Sequence, residues 1–255
     1  ILAPRAVRLA PRDGRGDAAT MSGGIRTSRF LASCMVAALA ACAGRTPPPS
    51  SSSADAPAVL GQGVLYEVTA SDVAIQVYRD GPLAELGHNH VIGSRGLTGQ
   101  VAVAEPLAGS SFTLVLAVTD LTVDEPARLA AAGSRFPDRL SPEDKEATRR
   151  NMLSAALLDG DRFGLIRLES LAIEGPASSS LVARTRVTVA GRSSEVRVPV
   201  TLDFDGTLLK ASGELTLSHE QLGLVPYSAM MGALRVGEDL HVSWRLEARP
   251  AAGPG

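Results

Sequence analysis

From Gly63 onward, apolar and polar residues alternate with a period of two. Val73, Ile75 and Val77 alternate with Ala74, Gln76 and Tyr78, and Phe112, Leu114, Leu116 and Val118 follow the same rule. So do Val196, Val198 and Val200, then Leu215 and Leu217, then Leu240, Val242, Trp244 and Leu246. Side chains of a strand point alternately to opposite faces, so this pattern predicts strands with one buried and one wet face. Turns are predicted between them at Asp80-Gly81-Pro82, Glu105-Pro106, Glu174-Gly175-Pro176, Ala190-Gly191-Arg192 and Asp205-Gly206. Roughly seven to nine antiparallel strands in one domain must bury a common face, and closure into a barrel does this without exposed edges.

One segment departs from the alternation. Ser141-Pro142-Glu143-Asp144 places a capping serine, a proline at the first helical position and an acidic residue three after the cap. Ala147, Met152, Ala155 and Ala156 follow at helical spacing, which predicts one helix over about 141–158, ending before Asp159-Gly160. A helix inserted into an all-β chain is expected to plug or roof a barrel end, with Met152 in the core or against the bore.

The beginning of the chain is a different kind of sequence. Residues 1–20 are rich in Arg, Ala, Pro and Gly without hydrophobic periodicity, and read as an untranslated upstream extension before Met21. Residues 21–41 combine Arg26 and Arg29 with the apolar run from Phe30, which is too short to span a hydrocarbon core of ~30 Å. Leu39-Ala40-Ala41-Cys42 resembles a lipobox, and the resemblance implies that Cys42 becomes an acylated N-terminus. Two acyl chains make anchoring stable at ~0.8 kcal/mol per buried CH₂. Residues 42–62 are a tether of Pro, Ser and Ala too poor in bulky apolar side chains to order itself, and 63–250 form the folded domain.

Charge and cysteine content narrow the partners. Removing residues 1–41 takes away six Arg and two Asp, leaving 19 basic against 25 acidic side chains and a net charge of −6. That balance argues against nucleic acid, which needs a basic face. Cys34 lies in the signal and Cys42 carries the anchor, so no disulfide forms within the mature chain. Localisation in the cell envelope is expected, lipid-anchored on the periplasmic face, and Ala43 after the cysteine favours the outer membrane. Oligomeric state is left open, a dimer among the options.

His88-Asn89-His90 is the sharpest polar feature. On a strand, residues i and i+2 share a face, so the two imidazoles could serve a metal, a haem or a ligand head group, or simply bond locally in a turn. His219 and His241 are the other histidines, and their spacing does not tie them to the pair. No Gly-x-Ser-x-Gly, His-Glu-x-x-His or phosphate-loop pattern is present, so no catalytic residue is expected. Asp124-Glu125 and Glu143-Asp144 are read as capping and solvated pairs.

The order of motifs resembles the YceI-like domain. It runs through Val73 to Val77, Leu86-Gly87-His88, Leu121-Thr122-Val123-Asp124, Asn151-Met152-Leu153, Val187 to Arg192, Leu222-Gly223-Leu224 and Gly232 to Val236. The resemblance covers about Gly63 to Ala248. It implies an eight-stranded antiparallel lipocalin-like barrel with an inserted helix, whose cavity holds a polyisoprenoid, an isoprenoid quinone or a fatty acyl chain. Three positions depart from the family pattern: Ala190 stands where a histidine often precedes the glycine, Phe163-Gly164 replaces an aromatic-Pro pair, and the histidine turn carries two histidines.

The barrel arithmetic agrees with an apolar ligand, since eight strands enclose room for one slender molecule when few inward side chains are bulky. Phe112, Leu114, Leu116, Met152, Leu215, Leu217 and Trp244 are the pocket candidates, and His88 and His90 the head-group or barrel-mouth candidates. No resident cofactor or metal is expected beyond a bound lipid. The alternatives are a metal-binding or redox accessory protein using His88 and His90, and a structural envelope adaptor with a filled barrel.

Overall fold

A computed structural model describes residues 60–136, 140–175 and 180–252. The expected signal, Cys42 and nearly all of the expected tether lie outside the described residues. The strands are β1 (Val64–Asp80), β2 (His90–Ser94), β3 (Thr98–Val103), β4 (Ser111–Ala117), β5 (Thr122–Val123), β6 (Leu165–Glu174), β7 (Ser180–Val189), β8 (Arg192–Phe204), β9 (Leu209–Ser218), β10 (Ser228–Ala229) and β11 (Leu234–Pro250). Two helices, α1 (Pro126–Ala132) and α2 (Pro142–Leu153), lie between β5 and β6.

Eight antiparallel strands form a closed ring in the order β1-β3-β4-β6-β7-β8-β9-β11, and β11 pairs back onto β1. The closing ladder runs from Tyr66 opposite Pro250 to Asp80 opposite Arg235. The short strands extend the ring at one end, with β2 pairing with β1 beyond β3, and β5 pairing with β2. The sequence breaks that separate them are Arg95-Gly96-Leu97 and the 3₁₀ turn Val118–Asp120. Every predicted turn with described residues falls between strands, and the tight β7–β8 turn places Ala190 and Gly191 both at positive φ (48° and 71°), the conformation that matches strand twist. At the β8–β9 hairpin, the Asp205 carboxylate accepts from the Thr207 and Leu208 amides and the Thr207 hydroxyl, which holds its pKa down at about 2.

Two bulges shift which residues face inward. Along β1, Tyr66 and Val68 belong to the core before the register slips between Val68 and Ala70, after which Val73, Ile75 and Val77 do. Along β6 the slip between Ser170 and Ala172 moves the inward set from Ile166 and Leu168 to Ile173.

The helical region corrects the expectation of a single helix over 141–158. Ser141 caps α2 as predicted, its Oγ accepting from the Asp144 amide at 3.2 Å. The helix stops at Leu153, where the Ser154 hydroxyl bonds the Asn151 carbonyl at 2.7 Å, and residues 154–163 turn back in successive tight turns. Met152, Leu153, Leu157 and Leu158 pack into the main core and cover one end of the barrel. Arg149 and Lys145 fasten α2 by donating to the carbonyls of Thr119, Leu121 and Asp124. The unpredicted helix α1 packs outside the barrel, where Leu129 joins Val91 and Phe136 in a second, smaller core against Ala74 and Tyr78.

Beneath α1, the Arg128 side chain is 6% exposed and pairs with Asp72 at 2.6 Å and Glu125 at 3.1 Å. A buried cation is tolerated only with such partners. Its guanidinium lies over Gly93, where any Cβ would collide with it. Gly93→Ala is therefore expected to displace Arg128 from Asp72 and lower stability by ~1–3 kcal/mol, measured by urea unfolding.

Candidate functional site

The inward faces of the eight strands enclose a cavity of about 260 Å³. Its wall includes Phe112, Leu114 and Leu116 from β4, Leu215 and Leu217 from β9 and Trp244 from β11. Met152 is not part of that wall, although it is 9% exposed and packed in the surrounding core. The hydroxyls of the wall already have partners. Ser110 and Ser111 accept from the Ala104 and Gly61 amides, and Thr185 donates to the Ala183 carbonyl. Among the polar atoms of the wall, the Trp244 indole N–H is buried and has no protein partner. Gly213, opposite Trp244 on β9, has no room for a side chain because the Pro199 carbonyl and the indole crowd it.

Register shows how the bore ends. Leu217, Leu240, Val77 and His90 occupy directly opposed positions across β9, β11, β1 and β2. Leu215, Val242, Ile75 and Ile92 form the next row down. Since Leu217, Leu240, Leu215, Val242 and Ile75 line the cavity, His90 shares the inward face at the end covered by α2. Neither His88 nor His90 is among the residues that line the cavity. His90 is 3% exposed.

His90 has a partner that sequence reasoning missed. Its Nδ1 lies 2.8 Å from Asp124 Oδ2, and Asp124 is itself 3% exposed. The second carboxylate oxygen accepts from the Val91 amide at 2.8 Å, and the Asp124 amide donates to the Val91 carbonyl at 2.9 Å. Asp124 sits at φ 54°, a left-handed conformation that aspartate tolerates better than most residues. This reading replaces the expectation of a solvated, capping Asp124. Glu125 does behave as a surface partner, bonding Arg95 and Arg128.

A carboxylate only accepts, so Nδ1 of His90 carries the hydrogen, and with a single proton on the ring Nε2 presents a lone pair. That Nε2 is buried with no protein partner. Nearby in sequence, Asn89 bonds the backbone on both sides, accepting from the Arg79 amide and donating to the Arg135 carbonyl. The remaining histidines are elsewhere. His219 faces the Glu238 carbonyl at 2.9 Å, and His241 packs edge-on against Tyr78 on the outer surface. Among the described residues, no group of three His, Cys, Asp or Glu is close enough to hold a metal ion.

No family model matches this sequence, and no curated protein sequence does. Solved structures do match. Burkholderia cenocepacia BcnA superposes with a TM-score of 0.50 at 13% identity, over 69% of this chain and 95% of BcnA. The chain has the BcnA fold. A polyisoprenoid binding domain from Saccharophagus degradans aligns at a TM-score of 0.47 and 10% identity, over 74% of this chain and 99% of its own. The Campylobacter jejuni YceI protein aligns at 0.44 and 7%, over 61% and 82%. The barrel expected from the YceI-like motifs is the barrel found, and at these identities the likeness speaks for fold alone.

Burial pushes the His88 imidazole below the usual histidine range, and the neighbouring His90 adds to the shift. The unfolded chain takes up this proton at about pH 6.5, whereas the folded chain resists it, so the unfolded state binds more protons below that value and stability falls with pH. Replacing His88 with Gln removes this contribution. The loss of Tm between about pH 7.5 and pH 5.5 is expected to be smaller in His88→Gln than in the wild type, read by thermal denaturation at both pH values.

Proposed function

We propose that this chain binds a long apolar molecule in the bore of its barrel and carries it unchanged. The ligand class is that of a polyisoprenoid, an isoprenoid quinone or a fatty acyl chain. The observation that carries the reading is the bore itself, a cavity of about 260 Å³ within a wall of Val, Leu, Ile and Phe whose hydroxyl groups are engaged by the protein. Such a wall selects against a polar molecule, because few groups are left to replace its bonds to water. Burying a hydrocarbon chain contributes ~0.8 kcal/mol per CH₂ without any charged contact. A cavity of this size also speaks against the filled barrel of a purely structural adaptor.

A metal-binding or redox role is the second reading, and the Asp124–His90 pair favours it, since a carboxylate behind an imidazole is a common way to orient a metal-bound histidine. Organic extraction with mass spectrometry, and metal analysis of the same purified sample, separate the two readings. Leu116 is 5% exposed in the wall, and Leu116→Trp fills part of the bore. The variant is expected to retain its far-UV β signal and lose most co-purified lipid. Unchanged lipid content in a folded Leu116→Trp protein would contradict the bore as the binding site.

The proposal extends to location. The lipoprotein signal supports an envelope protein tethered through Cys42 on the periplasmic face, with the outer membrane as its destination. Among the described residues no helix is long and apolar enough to cross a membrane. In cells fed a clickable fatty acid, Cys42→Ser is expected to abolish labelling of this protein, and labelling that persists would remove the anchor.

A further inference from the structure

The roofed end of the bore carries a second, chemically specific message. A singly protonated imidazole whose Nδ1–H is bonded to a carboxylate is fixed in one tautomer, and the His90–Asp124 pair has that geometry inside the protein, with His90 at 3% exposure. Its Nε2, an acceptor in that tautomer, has no protein partner. The Thr148 hydroxyl, buried on α2 one turn beyond Lys145, which reaches the Asp124 carbonyl, is likewise without a partner. Buried acceptors are ordinarily satisfied, and leaving one without a donor is unfavourable.

Position ties this acceptor to the bore. His90 continues the inward row of Leu217, Leu240 and Val77, two strands along from Leu240. With strands ~4.8 Å apart, that is ~10 Å from a residue of the cavity wall. A chain lying in the bore with its polar end toward α2 brings that end to the His90 level once Val77 and the α2 roof give way slightly.

We propose that His90 Nε2 accepts a hydrogen bond from a hydroxyl at the end of the bound chain, so that the ligand is a long-chain alcohol or a quinol rather than an ester, aldehyde or quinone. This rests on the reading of the bore as a lipid site and adds the chemistry of the head group. An ester, aldehyde or quinone offers only acceptors, which face the His90 lone pair unfavourably. Asp124 sets the sign of the discrimination. Its Oδ1 is committed to the Val91 amide, so in Asp124→Asn the side-chain oxygen stays with that amide and the NH₂ group faces His90 Nδ1. The imidazole then carries its hydrogen on Nε2, and the acceptor becomes a donor.

The test is competition of geranylgeraniol, its methyl ether and geranylgeranial against a fluorescent lipid probe on the purified protein at about pH 8, where imidazoles are ordinarily neutral. In the wild type, the alcohol is expected to bind about 3- to 10-fold tighter than the ether, the range of one hydrogen bond. In Asp124→Asn that advantage is lost and the aldehyde gains on the alcohol. In His90→Phe the alcohol and ether become equal. Equal binding of alcohol and ether to the wild type overturns the role of His90 and leaves the apolar bore standing. Failure of all three compounds to displace the probe, in a protein of wild-type far-UV spectrum, overturns both readings. The wild-type comparison decides the matter even if a variant fails to fold.

Discussion

Closure of the ring between β1 and β11 is the constraint from which the other features follow. These are 17-residue strands from the two ends of the described domain, and their pairing leaves the eight main strands without a free edge. A sheet with no edge has a definite inside, so every alternate side chain is committed to one shared space. The size of that space then depends on what those side chains are. Here they are chiefly branched aliphatics with two bulky aromatics, Phe112 and Trp244, in the wall, and they leave a cavity of about 260 Å³ between them.

The strand pattern and much of the bore were legible because alternation is a local signal. Phe112, Leu114 and Leu116 are spaced two apart on a strand without a bulge, and so are Leu215 and Leu217, so their common face could be read directly. The slips next to Thr69 and Leu171 could not, because an extra residue leaves no compositional mark and yet reverses the parity of all that follows. The α1 helix escaped for a related reason: its seven residues are too few for a helical period, and only Pro126 at its start and Gly133 after its end hint at it. Met152 was rightly placed on a buried helix face, but a helix covering a barrel end packs against the core beside the bore and need not touch the bore itself.

The polar end shows the limit of sequence reasoning more sharply. His-x-His drew attention to His90, whose partner in the structure is Asp124. The group that defines its chemistry, Asp124, stands 34 residues away and meets it because β5 continues the ladder of β2 by one more residue. A short apolar run, Leu121-Thr122-Val123, ending in aspartate was visible, but a carboxylate in that place is more often solvated. Only the tertiary pairing distinguishes a surface aspartate from one that fixes a tautomer.

The unbroken hydrogen-bonded ring also governs time. No gap can open between adjacent strands without breaking a ladder, so a molecule in the bore exchanges through the ends of the barrel. At one of these, α2 is fastened by Lys145 and Arg149 to main-chain carbonyls and by Met152 and Leu153 to the core. On the proposed reading, a bound chain leaves by that end only when this short helix lifts. If the bore carries a chain as proposed, affinity belongs to the barrel and the rate of delivery to its cap.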